Sequence, residues 1–243
     1  MRLVEFQAKR IFSEHGIPVP KNILLESSVD LENLPYPVVL KAQVPVGGRG
    51  KAGAIKTVSD ANEAAAVLDE LLSMRIKGNP VQAVLAEKKV EVQKELYLAI
   101  LIDKLARLPV IMVSAAGGID IEQVARESSE RIVKKHIDPS IGLSDYTVRY
   151  LAKRIGVEEQ LRDFAKLTYS LFDIFQSYDG TLVEINPLAV TANGLLALDA
   201  NLSKPVKLNM KVFFSAMSVF LVYTAGWCVM YYRAFRIPAE EQQ

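Results

Sequence analysis

Residues 41–53 read Lys41-Ala-Gln-Val-Pro-Val-Gly-Gly-Arg-Gly-Lys-Ala-Gly53. The apolar run Val38-Val39-Leu40 leads into them as part of a strand over Pro37–Gln43, and Ala54–Val58 reads as the next strand. Between the two, four glycines in seven residues force a loop or tight hairpin. Glycines let backbone N–H groups approach a ligand, and Lys41, Arg49 and Lys51 bring positive charge to the same place. Such a loop can wrap an oligophosphate. It is not a P-loop, because GxxxxGK[ST] is absent, nor a GxGxxG fingerprint opening a helix. The plain alternative is a mobile basic hairpin.

Working outward, residues 3–15 place Leu3, Phe6, Ile11 and Phe12 on one side of a helix that stops at His15-Gly16 before Pro18. Ile23–Leu25 reads as a strand. Ser59 is expected to cap a helix that runs to about Arg75, where Gly78-Asn79-Pro80 stops it. Strands follow at Ala83–Glu87, Val90–Ile102 and Leu108–Ser114, then a glycine turn at 115–118, a short helix near Ile121–Ala125 and a strand at Ile132–His136. Helices are expected at about Ser144–Ile155 and Glu158–Tyr178. Thr181–Val190 and Leu195–Asp199 form a hairpin around Asn193-Gly194, a strong turn signal. Hairpins mixed with helices, and no βαβ repeat, predict an α+β fold.

Two further clusters can carry chemistry. Asn186, in Val183-Glu-Ile-Asn-Pro187, and Asp199 sit on opposite arms of the last hairpin, so both oxygens can face one point. An amide oxygen and a carboxylate, completed by waters and phosphates, suit Mg²⁺ held against a nucleotide; a solvated hairpin is the alternative. Glu87 ends a strand and could accept ribose hydroxyls or a base edge, and Glu95 follows on the next strand; ordinary edge-strand charge would look the same. His15 and His136 are read as structural.

Composition narrows the classes. The 243 residues are 50% hydrophobic and 23% charged, which excludes disorder and a collagen-like chain. A net charge of +1 gives no bulk reason to expect nucleic acid or an anionic membrane surface. With Cys228 the sole cysteine, an internal disulfide is excluded, which suits a reducing cytoplasm. The opening is charged and amphipathic, unlike a signal peptide. The high mean hydropathy of +0.17 comes from Val212–Tyr232: 21 residues, uncharged, 17 of them apolar. A helix of that length rises about 30 Å, enough to span a bilayer core. Three origins are weighed for this tail: a frameshift or aberrant gene end, a membrane anchor with aromatic ends, and a helix packed on the protein's own core.

In order along the chain, Leu3-Val-Glu-Phe-Gln-Ala-Lys9, His15-Gly-Ile-Pro-Val-Pro20, the 41–53 loop, Lys94-Glu-Leu-Tyr-Leu-Ala-Ile100, Ile119-Asp-Ile-Glu122, Ile137-Asp-Pro139, Glu184-Ile-Asn-Pro-Leu188 and Ala197-Leu-Asp-Ala200 resemble the β-subunit family of succinyl-CoA synthetase, the ADP-forming succinate–CoA ligase. The resemblance covers about residues 1–201. It implies an ATP-grasp fold over 1–203, with a small lobe at about 21–86 and a larger lobe at about 87–203 that carries the N-terminal helix. Residues 204–243 are expected to form an apolar helical tail unrelated to the family, with a possible transmembrane segment at 212–232.

For the site, the resemblance implies that Lys41, Gly48, Arg49, Gly50, Glu87 and Glu95 bind ATP or ADP, and that Asn186 and Asp199 hold Mg²⁺. The implied reaction joins succinate and CoA at the expense of ATP through a phosphohistidine. That histidine belongs to the α subunit, so no catalytic residue is assigned here and the chain alone is expected to be inactive. Two positions depart from the family pattern: Ala116 replaces an acid before the Gly-Gly turn, and Asn201 stands where lysine usually follows. The β chain of malate–CoA ligase and a non-catalytic, membrane-tethered nucleotide-binding protein are the alternatives.

Overall fold

The structure is a computed structural model and describes residues 1–205 except Ser27 and Asp120. The opening segment folds as α1 (Glu5–Glu14), but it buries Glu5, Ala8, Lys9 and Phe12, not the Leu3–Phe6–Ile11 stripe that its apolar residues suggest. The buried set keeps helical spacing. Two of its members are charged and can be buried because partners from other elements neutralise them. Gly16, at φ +75°, ends the helix: its N–H reaches Ser13 O (3.0 Å), and the Ile17 N–H reaches Phe12 O (2.9 Å).

The strands β1 (Asn22–Leu25), β2 (Val38–Ala42) and β3 (Ile55–Val58) come next, with α2 (Ala61–Ser73) after them. Asp60 caps α2, where Ser59 was expected. Its carboxylate accepts from Glu63 N (2.9 Å), and the Glu63 carboxylate accepts from the N–H of Ser59, the residue before the cap (2.7 Å). A two-residue ladder, β4 (Arg75–Ile76) with β5 (Asn79–Pro80), then turns at Lys77 and Gly78, both at positive φ. With β6 (Val84–Lys88), the first sheet runs β1-β6-β2-β3, antiparallel throughout. Leu68 and Leu71 of α2 pack with Val38, Leu40, Val58 and Val84 as its core.

The second sheet takes its strands from β7 (Lys94–Asp103), β8 (Leu108–Ser114), β9 (Ile132–His136), β10 (Leu182–Thr191), β11 (Gly194–Ala197) and β12 (Asn201–Ser203), with the helices α3 (Ile121–Glu127) before β9 and α4 (Asp145–Ile155) and α5 (Leu161–Ser177) before β10. Its order is β11-β10-β7-β8-β9, with β12 also paired to β10 and every pair antiparallel. This is the α+β arrangement that the hairpins predicted. β7 begins at Lys94, not Val90. The 89–93 stretch joins neither ladder, because Lys89 N bonds Pro37 O of one sheet's approach while Gln93 N bonds Val190 O of the other.

Ser144 caps α4 through Thr147 N (3.2 Å), and Gly156 ends it in the left-handed conformation at φ +70°. Phe12, Val148, Leu151, Phe164, Leu171 and Ile174 fill the layer between α1, α4, α5 and the sheet residues Leu96, Leu98, Ile100, Val183 and Ile185. Each side chain of this size contributes about 1.5–3 kcal/mol when fully buried. The apolar helix expected at 212–232 lies outside the described residues. Among the described residues no helix is long and apolar enough to cross a membrane.

Candidate functional site

A groove of about 1090 Å³ brings together residues of both sheets and of the glycine loop. Lys41, Gly48, Arg49, Gly50, Glu87, Asn186 and Asp199 all line it, joined by Arg2, Lys51, Lys77, Glu184 and Leu198. Gly48 sits at φ +91°, which only glycine adopts without strain, so the loop needs glycine there to keep its turn. Glu95 is the exception among the expected residues. It does not line the groove, and its carboxylate flanks Gly118 on the rim.

Beneath the loop lies a network of three carboxylates and three cations. Lys41, on β2, reaches Glu87 Oε2 (2.6 Å), Leu198 O (2.6 Å) and Glu5 Oε1 (3.2 Å). Arg49 donates through Nη1 to Glu5 Oε2 and Ala42 O (3.3 Å), and through Nη2 to both Asp199 Oδ1 and Oδ2 (3.0 and 3.1 Å). Lys9 of α1 meets Glu5 Oε1 (2.9 Å), Glu87 Oε1 and Leu198 O (2.6 Å). Glu87 therefore spends both oxygens on lysines, a use that its place at a strand end did not suggest.

Burial and charge compete at each member. For Glu5, burial opposes ionisation, but Lys9, Lys41 and Arg49 outweigh it and hold the carboxyl below its ordinary range. Lys41 and Arg49 are raised, because burial is overcome by Glu5 with Glu87 and Asp199 for the lysine, and by Glu5 with Asp199 for the guanidinium. Lys9 is lowered by burial, against Glu5 and Glu87. Burial and the nearby Glu5 push Asp199 up to about 6 against its pair with Arg49.

The hairpin carries the other pair. Leu188 faces Ala197, and Leu198 N bonds Pro187 O (3.1 Å), so Asn186 and Asp199 come across from each other where the ladder ends. The register between β10 and β7 shifts between Ile185 and Leu188, where Pro187 has no N–H to give. Asn186 Oδ1 accepts from Gly118 N (2.8 Å), and its Nδ2 donates to Ile119 O (3.1 Å). Asp199 Oδ1 takes Arg49 and Ala200 N (2.8 Å), while Oδ2 takes Arg49 alone. Asn186 Oδ1 and Asp199 Oδ2 each keep a lone pair. Two hard oxygens of this kind fit Mg²⁺ completed by phosphate and water. Among the described residues no group of three or more His, Cys, Asp or Glu could hold a metal ion alone.

Three residues at this site escaped the sequence reading. Glu5 and Lys9 were hidden because charged residues on a helix normally mark its wet face; the signal was their i, i+4 spacing in line with Ala8 and Phe12. Glu184 shares a strand face with Asn186, two residues on, and that alternation could have found it. Glu184 accepts from Asn201 Nδ2 (3.0 Å) and bonds Tyr97, whose hydroxyl is pushed up by burial and by the Glu184 charge. Among the described residues Asn201 Oδ1 is buried without a hydrogen-bond partner, so Asn201 satisfies Glu184 but not itself. Ala116 donates its N–H to Ser114 Oγ (3.2 Å) and stays off the groove.

A family profile described as "ATP-grasp domain" matches residues 2–190. Three relatives carry the name succinate–CoA ligase [ADP-forming] subunit beta. That of Ignicoccus hospitalis is 47% identical over 204 residues, that of Aquifex aeolicus 44% over 214, and that of Methanocaldococcus jannaschii 42% over 204. The matches cover 82%, 83% and 82% of this chain and 54%, 55% and 56% of the relatives, so the chain spans about half their length. Among solved structures, a dinucleotide-forming acetyl-coenzyme A synthetase of Ca. Korarchaeum cryptofilum superposes with TM-score 0.68 at 19% identity, covering 84% of this chain and 93% of that one. ATP citrate lyase of Methanothrix soehngenii does so with TM-score 0.60 at 21% identity, covering 83% and 50%. These two likenesses are of fold. With the profile running from just before α1 almost to the end of β10, the chain belongs to the ATP-grasp family.

Proposed function

We propose that this chain is the nucleotide-binding part of the β subunit of an ADP-forming succinate–CoA ligase. Residues 1–203 serve as the nucleotide-binding domain, with about 21–86 as its small lobe and about 87–203, together with α1, as its larger one. The observation that carries the reading is the convergence of Lys41, Arg49, Asn186 and Asp199 on one groove between two sheets. Its support comes from relatives of that name at 42–47% identity.

In this reading Lys41, Arg49 and the N–H groups of Gly48 and Gly50 bind the phosphates of ATP or ADP, replacing the water that would solvate that charge. Arg49 turns from Asp199 towards phosphate as the nucleotide enters. Asn186 and Asp199 hold Mg²⁺, which when bound neutralises charge on the transferring phosphoryl group. Glu87 keeps Lys41 extended into the groove, and Glu95 borders the groove from the rim beside Gly118. The phosphoryl group passes to a histidine of an α subunit, because His15 and His136 line no part of the groove. That subunit contributes the CoA site and joins succinate to CoA, with ADP and phosphate released. The compartment that fits this chemistry is the cytoplasm.

The test supplies γ-labelled ATP to the chain with the α subunit of an ADP-forming succinate–CoA ligase. Label on an α-subunit histidine, dependent on the chain and on Mg²⁺, is the expected result. A chain that binds Mg-ATP yet passes no label at any excess of α subunit would overturn the ligase reading and leave the nucleotide site standing.

A further inference from the structure

Glu5 and Lys9 lie one turn apart on the buried face of α1, 3% and 1% exposed. Neither belongs to the glycine loop or to the hairpin. Lys9 has three ammonium protons and three acceptors: Glu5 Oε1, Glu87 Oε1 and Leu198 O. Lys41 matches its three in the same way, on Glu5 Oε1, Glu87 Oε2 and Leu198 O. The two lysines thus divide Glu87 between them and share one carbonyl, that of the peptide leading into Asp199. Glu5 divides its own oxygens, Oε1 to the lysines and Oε2 to Arg49. A leucine and an alanine would fill this helix face without the desolvation that two charges carry, so stability alone does not account for them.

We propose that Glu5 and Lys9 are positioning residues of the nucleotide site, a proposal that rests on the nucleotide reading above. Glu5 sets the spacing of Lys41 and Arg49 along the groove wall. At 3.2 Å it is the longest contact of Lys41, and the one a phosphate oxygen replaces at least loss. Lys41 then stays anchored by Glu87 and Leu198 at 2.6 Å each. Lys9 acts on the other side. By holding Leu198 O and Glu87 together it fixes the 198–199 peptide, and through it the direction of the Asp199 carboxylate. α1 therefore ties the glycine-loop sheet to the hairpin that carries Asn186 and Asp199.

The test measures ATP binding by calorimetry, with Mg²⁺ and with a chelator, in the full chain and in Glu5→Gln, Glu5→Asp, Lys9→Met and Lys9→Arg. Glu5→Gln weakens both forms of ATP by the same factor, about tenfold, the worth of one charge-assisted hydrogen bond. Lys9→Met weakens Mg-ATP more than metal-free ATP, and Lys9→Arg recovers part of that loss. A merely structural role would lower Tm and leave the affinity of the folded protein unchanged. Wild-type affinity in folded Glu5→Gln and Lys9→Met overturns the proposal. Should those two fail to fold, Glu5→Asp and Lys9→Arg decide it, since each keeps its charge and moves it: weaker binding supports the proposal and wild-type binding overturns it. Failure of the unaltered chain to bind Mg-ATP would instead strike the nucleotide reading itself.

Discussion

Replacing Arg49 with alanine removes a side chain that bridges Glu5 and Asp199. The guanidinium is 8% exposed and makes a charge-assisted bond to Glu5, a bond to Ala42 O and, through Nη2, a contact with both Asp199 oxygens. Taking one partner from a buried ion pair costs about 3–5 kcal/mol, because the other charge is left without compensation. Two features reduce that figure here. Glu5 keeps Lys9 and Lys41, and the Asp199 side chain is 35% exposed, so water recovers part of the loss. The expected loss is therefore at the low end, about 3 kcal/mol. At about 2–4 °C per kcal/mol for a chain of this size, Tm falls by about 6–12 °C. Affinity for Mg-ATP falls separately by the phosphate contact, about 1.5–3 kcal/mol or roughly ten- to 150-fold. Arg49→Lys keeps the charge but loses the separate nitrogens that reach Glu5 and Asp199, and lies between. Urea unfolding measures the first quantity and calorimetric titration the second. An Arg49→Ala protein within about 0.5 kcal/mol of the parent that also binds nucleotide normally would refute the bridging role.

Asp199→Asn should cut affinity for Mg-ATP far more than for metal-free ATP, and equal losses by titration in the two conditions would make Asp199 structural. At Gly117 an added Cβ would lie 2.2 Å from the backbone oxygen of Leu96, which no rotamer change relieves; Gly117→Ala should cost about 1–3 kcal/mol in urea unfolding, and a neutral result would contradict the close approach. The Glu5 carboxyl is held below its ordinary 4.5, so it stabilises the fold fully above that pH and loses this as pH falls towards its folded value. Stability measured against pH should thus drop on the acid side less steeply in Glu5→Gln than in the parent, and parallel curves would remove Glu5 from the balance.

The glycine loop and the Asn-Gly hairpin were legible because their signals are local. Gly48 needs φ +91°, and Asn193-Gly194 makes the turn that sets Asn186 against Asp199. The strand at Ile132–His136 also formed where apolar patterning put it. Glu5 and Lys9 were not legible as site residues, since their partners Lys41, Arg49 and Glu87 are far along the chain, and no window of sequence holds both sides of a long-range ion pair. The same holds for β12, whose three residues Asn201–Ser203 are a strand only because Leu182–Glu184 offers them a ladder. Residues 90–93 read as strand from their alternation, and lose that identity because the backbone bonds on either side of them, at Lys89 and Gln93, go to two different sheets.

Calorimetric titration of Mg-ATP into the full chain and into Lys41→Ala tests the central claim most directly. The unaltered chain should bind one nucleotide, and binding should weaken by about tenfold or more when the Lys41 ammonium is removed. Absence of binding to the unaltered chain, or equal affinity in the two proteins, would contradict it.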